Sequence, residues 1–189
     1  RAPVTRSWRN AFAPSGSPGL QYVVGDGEVV GPGDEAAFTE AVLRLPGSYL
    51  AFQPDPLAPP VAPAPCLKNG FLTFGSLVSQ YKVTPSVLDA WAEILLRAPG
   101  TRLVLANSVL GAAENRRWLA ARFEERGVAA ERVDLLGPAD HRTFLARYGR
   151  IDVALDSFPY SGGTTTMEAI WQGVPVLTFG GDRWASRTS

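Results

Sequence analysis

A single cysteine, Cys66, stands in the 189 residues, so no internal disulfide framework exists and a reducing, cytoplasmic setting fits. Histidine is as scarce, with His141 alone, and no Cys/His cluster or H-E-x-x-H occurs. No metal or other cofactor is therefore expected. No Gly-x-Ser-x-Gly elbow is present. Asp26, Glu28, Asp34 and Glu35 form no pair with recognisable acid–base geometry. Lys plus Arg equals Asp plus Glu at 18 each, which removes the basic excess expected of a nucleic-acid binder. No apolar run approaches the length of a membrane span, no repeat recurs at solenoid periods, and Arg1 opens no signal-peptide pattern. The missing initiator methionine suggests a piece of a longer chain. What remains, 46% hydrophobic and 19% charged, describes a soluble globular protein with a real core, one domain or one and a fraction.

The first fifty residues are poor in periodic structure. Tyr22 to Val24 is a short strand candidate, and Asp34 to Leu45 has helical spacing, with Ala37, Phe38, Ala41, Val42 and Leu45 on one face. Gln53 to Pro65 carries prolines at 54, 56, 59, 60, 63 and 65, an extended and semi-rigid connector. A proline-rich signalling ligand is the alternative, but the basic residues such a ligand needs are missing. From Asn69 the pattern becomes regular. Strands are predicted at Phe71 to Phe74, Arg102 to Ala106 and Val133 to Leu136. Thr84 and Pro85 open a helix with Val87, Leu88, Trp91, Ile94 and Leu95 buried. A second helix, Ala112 to Arg126, turns Trp118, Leu119 and Phe123 inward, and a short one covers Asp140 to Tyr148. Strands alternating with helices imply a parallel sheet with right-handed crossovers, and a ligand at the carboxyl ends of the strands.

The stretch Ile151 to Asp182 organises the rest. An apolar run to Leu155 ends at Asp156, which can order the next loop by accepting backbone N–H bonds. Pro159, Gly162 and Gly163 then break regular structure. Thr165 and Glu168 have capping-box spacing, so the helix carrying the apolar stretch Met167 to Gln172 is expected to start beside Gly163; Gly173 closes it, and Val174 to Phe179 reads as a buried strand. Glycines permit close backbone approach, and free N–H groups with threonine hydroxyls suit phosphate oxygens. From spacing alone an ordinary capped helix stands slightly ahead.

The run D-S-F-P-Y-S-G-G-T-T-T-M-E-A-I-W-Q-G-V-P-V-L-T-F-G-G-D-R-W-A-S-R resembles the nucleotide-sugar loop of the O-GlcNAc transferase family, glycosyltransferase family 41. R-A-P-V, A-F-A-P-S-G-S-P-G and D-E-A-A-F-T-E-A-V-L-R-L-P resemble the family's segments that close its N-terminal catalytic lobe. The resemblance implies an α/β Rossmann-like lobe, the C-terminal lobe of a two-lobed GT-B glycosyltransferase, preceded by a remnant of the N-terminal lobe. Residues 1–52 would be that remnant, 53–68 the connector, and 69–189 the nucleotide-sugar lobe, truncated within a helix begun near Asp182.

It also implies roles. Lys82 takes the place of a lysine that contacts the diphosphate and supports the departing nucleotide, and is the one catalytic assignment. The family carries Asn or Gln three residues before that lysine; this chain has Ser79 there and Gln80 one place later. Pro138 and Ala139 would hold the uracil through main-chain groups, and His141 stands where some relatives have lysine near the nucleotide. Gly162, Gly163, Thr164, Thr165 and Thr166 would cradle the diphosphate. Glu168 has two readings, cap or ribose contact. Phe144 replaces a histidine that many relatives carry.

The expected activity is inverting transfer of GlcNAc from UDP-GlcNAc to protein Ser or Thr hydroxyls, with the base, the rest of the N-terminal lobe and helical repeats supplied by the parent chain. The 189 residues alone would be inactive. The rivals are GDP-fucose, as in the SPINDLY-type transferases, UDP-glucose, or a non-catalytic nucleotide-binding or scaffold module, which Ser79 and Phe144 favour. The expected partners are the UDP-sugar and a protein acceptor, with no nucleic acid and no membrane.

Overall fold

The computed structural model describes residues 2–8 and 12–189. The chain divides into two compact units, one from the N-terminus to Gln53 together with Phe179–Thr188, the other from Pro54 to Thr178 together with Ser189. The segment Phe179–Thr188, assigned by sequence to the second lobe, thus belongs with the first fifty residues. The proline-rich segment from Pro54 belongs with the second unit.

The first unit holds a parallel sheet of β1 (Arg6–Ser7), β2 (Tyr22–Asp26) and β3 (Ala41–Leu45) in that order. The helix expected over Asp34 to Leu45 is instead a 3-10 turn, Asp34–Ala37, followed by β3. Two local contacts hold the turn short: Asp34 Oδ2 accepts from Gly31 N–H and Glu35 Oε2 from Gly33 N–H, both at 2.9 Å. Beyond Glu40 the backbone finds its partners on β2, with Tyr22 opposite Ala41 and Asp26 opposite Leu45. A distant ladder has overridden helical spacing. Val23, Val29, Val30, Tyr49 and Trp184 form the core.

Trp184 lies in the 3-10 turn Trp184–Ser186, where a full helix was expected. Its ring stands edge-on to Tyr49 at 5.1 Å, with Phe38 at 5.9 Å and Phe12 at 6.4 Å. Arg187 pairs with Asp34 at 2.8 Å and fastens the segment from its other end.

The second unit opens with the prolines, which pack on the body of the unit: Pro59 carbonyl accepts from Gln172 Nε2 at 3.3 Å. A four-residue helix missed by the sequence reading, α1 (Cys66–Asn69), follows. Asp152 ties it to the sheet, accepting from Cys66 N–H at 2.9 Å and Thr73 N–H at 2.8 Å. Five parallel strands then follow: β4 (Thr73–Ser76), β5 (Arg102–Ala106), β6 (Val133–Leu136), β7 (Val153–Leu155) and β8 (Val176–Leu177). Their order is β6-β5-β4-β7-β8. The strand predicted over Val174 to Phe179 is only these two residues of β8, and Leu177 and Phe179 are exposed.

The helices are α2 (Pro85–Arg97), α3 (Ala113–Glu124), α4 (His141–Ala146) and α5 (Thr164–Trp171). Thr84 caps α2 as expected, and Val87, Leu88, Trp91 and Leu95 are buried. On α3, Leu119 and Phe123 point inward while Trp118 is 53% exposed beneath Arg122. Residues four apart share a helix face, and Trp118 sits one position off that line. Among the described residues no helix is long and apolar enough to cross a membrane.

Candidate functional site

From β4 the chain moves outward through β5 to β6, then returns to place β7 on the other side of β4. The direction reverses between β4 and β7, and in parallel α/β sheets the crevice beyond the carboxyl ends of two such strands takes the ligand. The loops leaving those ends carry Lys82 after β4 and the glycine segment after β7.

Asp156, directly past β7, is 5% exposed. Its Oδ1 accepts from Ser157 N–H at 2.8 Å and Gly162 N–H at 2.7 Å, and its Oδ2 from the Thr178 hydroxyl at 2.7 Å. The carboxylate thereby folds residues 157–162 into a closed loop, the role its sequence position suggested. Gly162 is required there, because a Cβ would lie 2.3 Å from Thr166 Oγ1 and 3.1 Å from Asp156 Oδ1. Gly163 then occupies the N-cap of α5, with φ −156° and ψ −96°.

Thr164, Thr165 and Thr166 form the first turn of α5. Their amides have no carbonyl one turn back and add to the positive end of the helix dipole. Thr166 Oγ1 lies 2.7 Å from Ser189 Oγ, and the Thr165 carbonyl accepts from the Tyr148 hydroxyl at 2.8 Å. Glu168 makes no capping box. The helix starts at Thr164, so Glu168 is the fifth helical residue and not the third, and the box geometry fails. It is instead buried, with Oε1 3.6 Å from His141 Nε2. Burial raises its carboxyl above the usual range, and His141 opposes the shift.

Lys82 closes the 3-10 turn Gln80–Lys82 and is half-buried. Its Nζ donates to the Ser161 carbonyl at 2.6 Å and lies 3.9 Å from the centre of the Tyr160 ring. Desolvation lowers the ammonium's pKa, and the charge of Asp156 opposes this. A cation is therefore held at the entry to the glycine loop, one residue before the pair that opens α5.

The other predicted residues divide. Ser79 is exposed at the start of the same turn, and its side chain makes no cap bond. Gln80 turns toward β5, where its Oε1 accepts from Asn107 Nδ2 at 3.0 Å. Pro138 and Ala139 are exposed on the loop after β6, which is seated by contact of Gly137 and the Pro138 ring with Gly111. Asp140 caps α4, accepting from Thr143 N–H at 2.9 Å and the Thr143 hydroxyl at 2.6 Å. His141 is exposed, stacked with Phe144 at 6.2 Å, with Asp55 Oδ2 4.0 Å from its Nε2. Phe144 packs edge-on to Tyr148 and joins the apolar core.

Three neighbours went unassigned in the sequence: Tyr160 beneath Lys82, Asn107 on Gln80 and Asp55 beside His141. Asn107 had a signal, as the first polar residue after the apolar β5 run. Asp55 had none, because its proline-rich segment shows no period.

A cleft of about 490 Å³ at the opposite ends of the strands, with Phe71, Arg102, Asp134 and Arg150 in its lining, is a weaker candidate. Arg150 is spent on Asp134 at 2.6 Å, and Arg102 lies over the Phe71 ring. Cys66 also offers little reactivity, since a hydrogen bond to Asp152 and burial push its thiol pKa up. Among the described residues, no group of three or more His, Cys, Asp or Glu is placed to hold a metal ion.

Comparison with known proteins decides the family. The pattern described as Glycosyl transferase family 41 matches residues 66–189. The chain belongs to glycosyltransferase family 41. A relative in Petunia hybrida, named a probable UDP-N-acetylglucosamine–peptide N-acetylglucosaminyltransferase SPINDLY, is 39% identical over 95% of this chain. The match spans 19% of that relative. The structure of a mutant O-GlcNAc transferase from Thermobaculum terrenum superposes with a TM-score of 0.92 at 42% identity, over 99% of this chain and 35% of that one. A sucrose-phosphate synthase from Thermosynechococcus elongatus, at 22% identity and TM-score 0.56 over 83% of this chain and 40% of its own, shares the fold alone. The parallel α/β unit of this family 41 chain matches the C-terminal lobe of GT-B glycosyltransferases.

Proposed function

We propose that this chain is the donor-binding part of a protein O-glycosyltransferase that moves GlcNAc from UDP-GlcNAc to Ser or Thr hydroxyls, inverting the anomeric carbon. One observation carries the reading: the Lys82 ammonium is fixed against the Ser161 carbonyl at the sheet's switch point, at the mouth of a glycine–threonine helix start. In the reaction the acceptor oxygen bonds to C1 of the sugar as the bond from C1 to the diphosphate breaks. The electron pair leaves on the diphosphate, and the hydroxyl proton goes to a base. Lys82 and the first amides and hydroxyls of α5 would stabilise the growing negative charge, the kind of fixed donor set that lowers such barriers.

The uracil would rest on the main chain of Pro138 and Ala139, and the ribose near Glu168 and His141. This donor set replaces a metal in the proposed mechanism. The match covers 35% of the bacterial enzyme's chain, so the base and acceptor surface are assigned to segments outside these residues. The isolated 189 residues are accordingly expected to bind UDP weakly and transfer nothing. A cytoplasmic setting is proposed with it, on the strength of the single cysteine.

Titrating UDP, GDP and UDP-GlcNAc against the full-length protein tests the reading, followed by radiolabelled transfer to a peptide pool. UDP binding above GDP, with transfer from UDP-GlcNAc, is the expected result. GDP preference with transfer from GDP-fucose would replace the donor, and no nucleotide binding would leave a scaffold.

A further inference from the structure

The peptide group joining Ser161 to Gly162 is gripped at both ends. Its carbonyl accepts from the Lys82 ammonium at 2.6 Å, and its N–H donates to Asp156 Oδ1 at 2.7 Å. The negative end of the amide dipole faces the cation and the positive end faces the carboxylate, so each contact is charge-assisted. Asp156 is itself immobilised by the Ser157 N–H and the Thr178 hydroxyl.

We propose that Asp156 is a positioning residue for sugar transfer, which holds the Ser161–Gly162 peptide in the one orientation that fixes the Lys82 ammonium against the donor diphosphate. The role rests on the function proposed above. Lysine is a point charge on a flexible four-carbon stem and does not fix its own direction. Here the Ser161 carbonyl supplies that direction. A rotation of the peptide would carry the carbonyl away and break the Asp156 contact at the same time, so the carboxylate locks the anchor of the lysine.

The close approach depends on Gly162, whose missing Cβ leaves room for both Asp156 and Thr166. Asp156 is the charge that acts on Lys82, and the other contacts are Ser161 and the Tyr160 ring. Glu168, the ionisable group of α5, faces His141. Burial draws Lys82 toward its neutral form and the Asp156 charge counters this, so the same carboxylate that orients the ammonium helps keep it protonated.

The test uses the full-length protein. In Asp156→Asn the alkaline limb of the turnover–pH profile moves to lower pH by about one unit or more, because the lysine loses its counter-charge. Turnover falls by a larger factor than the KM for UDP-GlcNAc rises. The double variant Asp156→Asn/Lys82→Ala is no slower than Lys82→Ala alone, since the carboxylate acts through the lysine. An unmoved limb, or penalties that add, would overturn the proposal.

A second measurement reads the loop directly and does not use the Asn variant. Amide hydrogen exchange across residues 156–163 accelerates in Lys82→Met while the β5 amides are unchanged. Sugar transfer by the unsubstituted protein together with unchanged exchange in Lys82→Met would overturn this role alone. Absence of sugar transfer by the unsubstituted full-length protein would overturn the proposed function and this role with it, whatever the exchange in Lys82→Met.

Discussion

The Thr178 hydroxyl reaches across from the end of β8 to Asp156 Oδ2, 2.7 Å away. Read as part of a buried strand, Thr178 would be inert toward ligand; it is in fact an exposed residue whose oxygen braces the glycine loop. Thr178→Val should cost roughly 1.5–3 kcal/mol, the usual worth of a hydrogen bond to a charged group, and should weaken UDP binding. Thr165→Ala should weaken UDP binding with a smaller fall in thermal midpoint. Calorimetry on both folded variants checks this, and unchanged UDP affinity in both would remove the loop from the site.

Lys82→Ala should lower turnover of the full-length protein by a larger factor than it raises the UDP-GlcNAc dissociation constant. The leaving diphosphate gains charge in the transition state, and the ammonium's contribution grows with it. Steady-state kinetics beside equilibrium binding separate the two. Unchanged turnover would reduce Lys82 to a brace for Ser161.

Two glycines should fail differently. A Cβ on Gly75, inside β4, would lie 2.3 Å from Ile151 Cδ1 in the core, so Gly75→Ala should lower stability by about 1–3 kcal/mol through overpacking. Gly162→Ala meets Thr166 and Asp156 in the loop and should abolish UDP binding in a protein whose circular dichroism is unchanged. Denaturant melts and UDP titration of the pair give the answer; UDP affinity retained in Gly162→Ala would count against the loop.

Glu40 governs an acid-range response of the first unit. Hydrogen bonds from the Ser15 hydroxyl, the Ser15 N–H and the Thr39 hydroxyl hold its carboxyl at about 2, against an ordinary 4.5. A depressed carboxyl stabilises the fold fully above pH 4.5, and that contribution drains away as pH falls toward 2. Glu40→Gln should be less stable at neutral pH and flatter between those values. Equilibrium melts at stepped pH would show it, and identical slopes would remove Glu40 as the cause.

The second unit was legible where sequence and structure speak locally. Arg102–Ala106 coincides with its apolar run, because a strand buried inside a parallel sheet needs near-uniform hydrophobicity, and Val133–Leu136 at the sheet's edge was also found despite Asp134. Thr84-Pro85 marked the start of α2 through its own cap chemistry. Some failures involve distant partners and others a local shift in where an element starts or which face it buries. Ala41–Leu45 became a strand because β2 was there to pair with it, and nothing in A-V-L-R-L announces that edge. Glu168 carried a cap's spacing, but its place was set by where the glycine loop began the helix. In the candidate site, the glycine loop was visible as a break in regular structure and Lys82 only through the family resemblance, whereas the bond between them joins residues 79 positions apart and has no sequence signature.

Trp184→Ala should destabilise the first unit by about 3–5 kcal/mol, the range for emptying a large aromatic from a core. Trp184 is 4% exposed and bounded by three aromatic rings. Hydrogen exchange should show β2 and β3 opening while β5 and β6 stay protected. Uniform loosening across both sheets would argue against two separable units.

The return of residues 179–188 to the first unit also sets an order of assembly. Arg187 meets Asp34 across 153 residues of chain. During synthesis the early segment therefore waits, its apolar pocket unfilled, until nearly the whole second unit has left the ribosome. The intervening unit pairs β4 with β5 and β5 with β6 along the chain and can condense first, since contacts nearer in sequence close at a lower entropic cost than those 153 residues apart. Trp184 joins the core of the first unit only after that. Of the two units, the one begun earlier is thus finished later, and the interval between is when its exposed valines and aromatics are open to a chaperone or to misassociation.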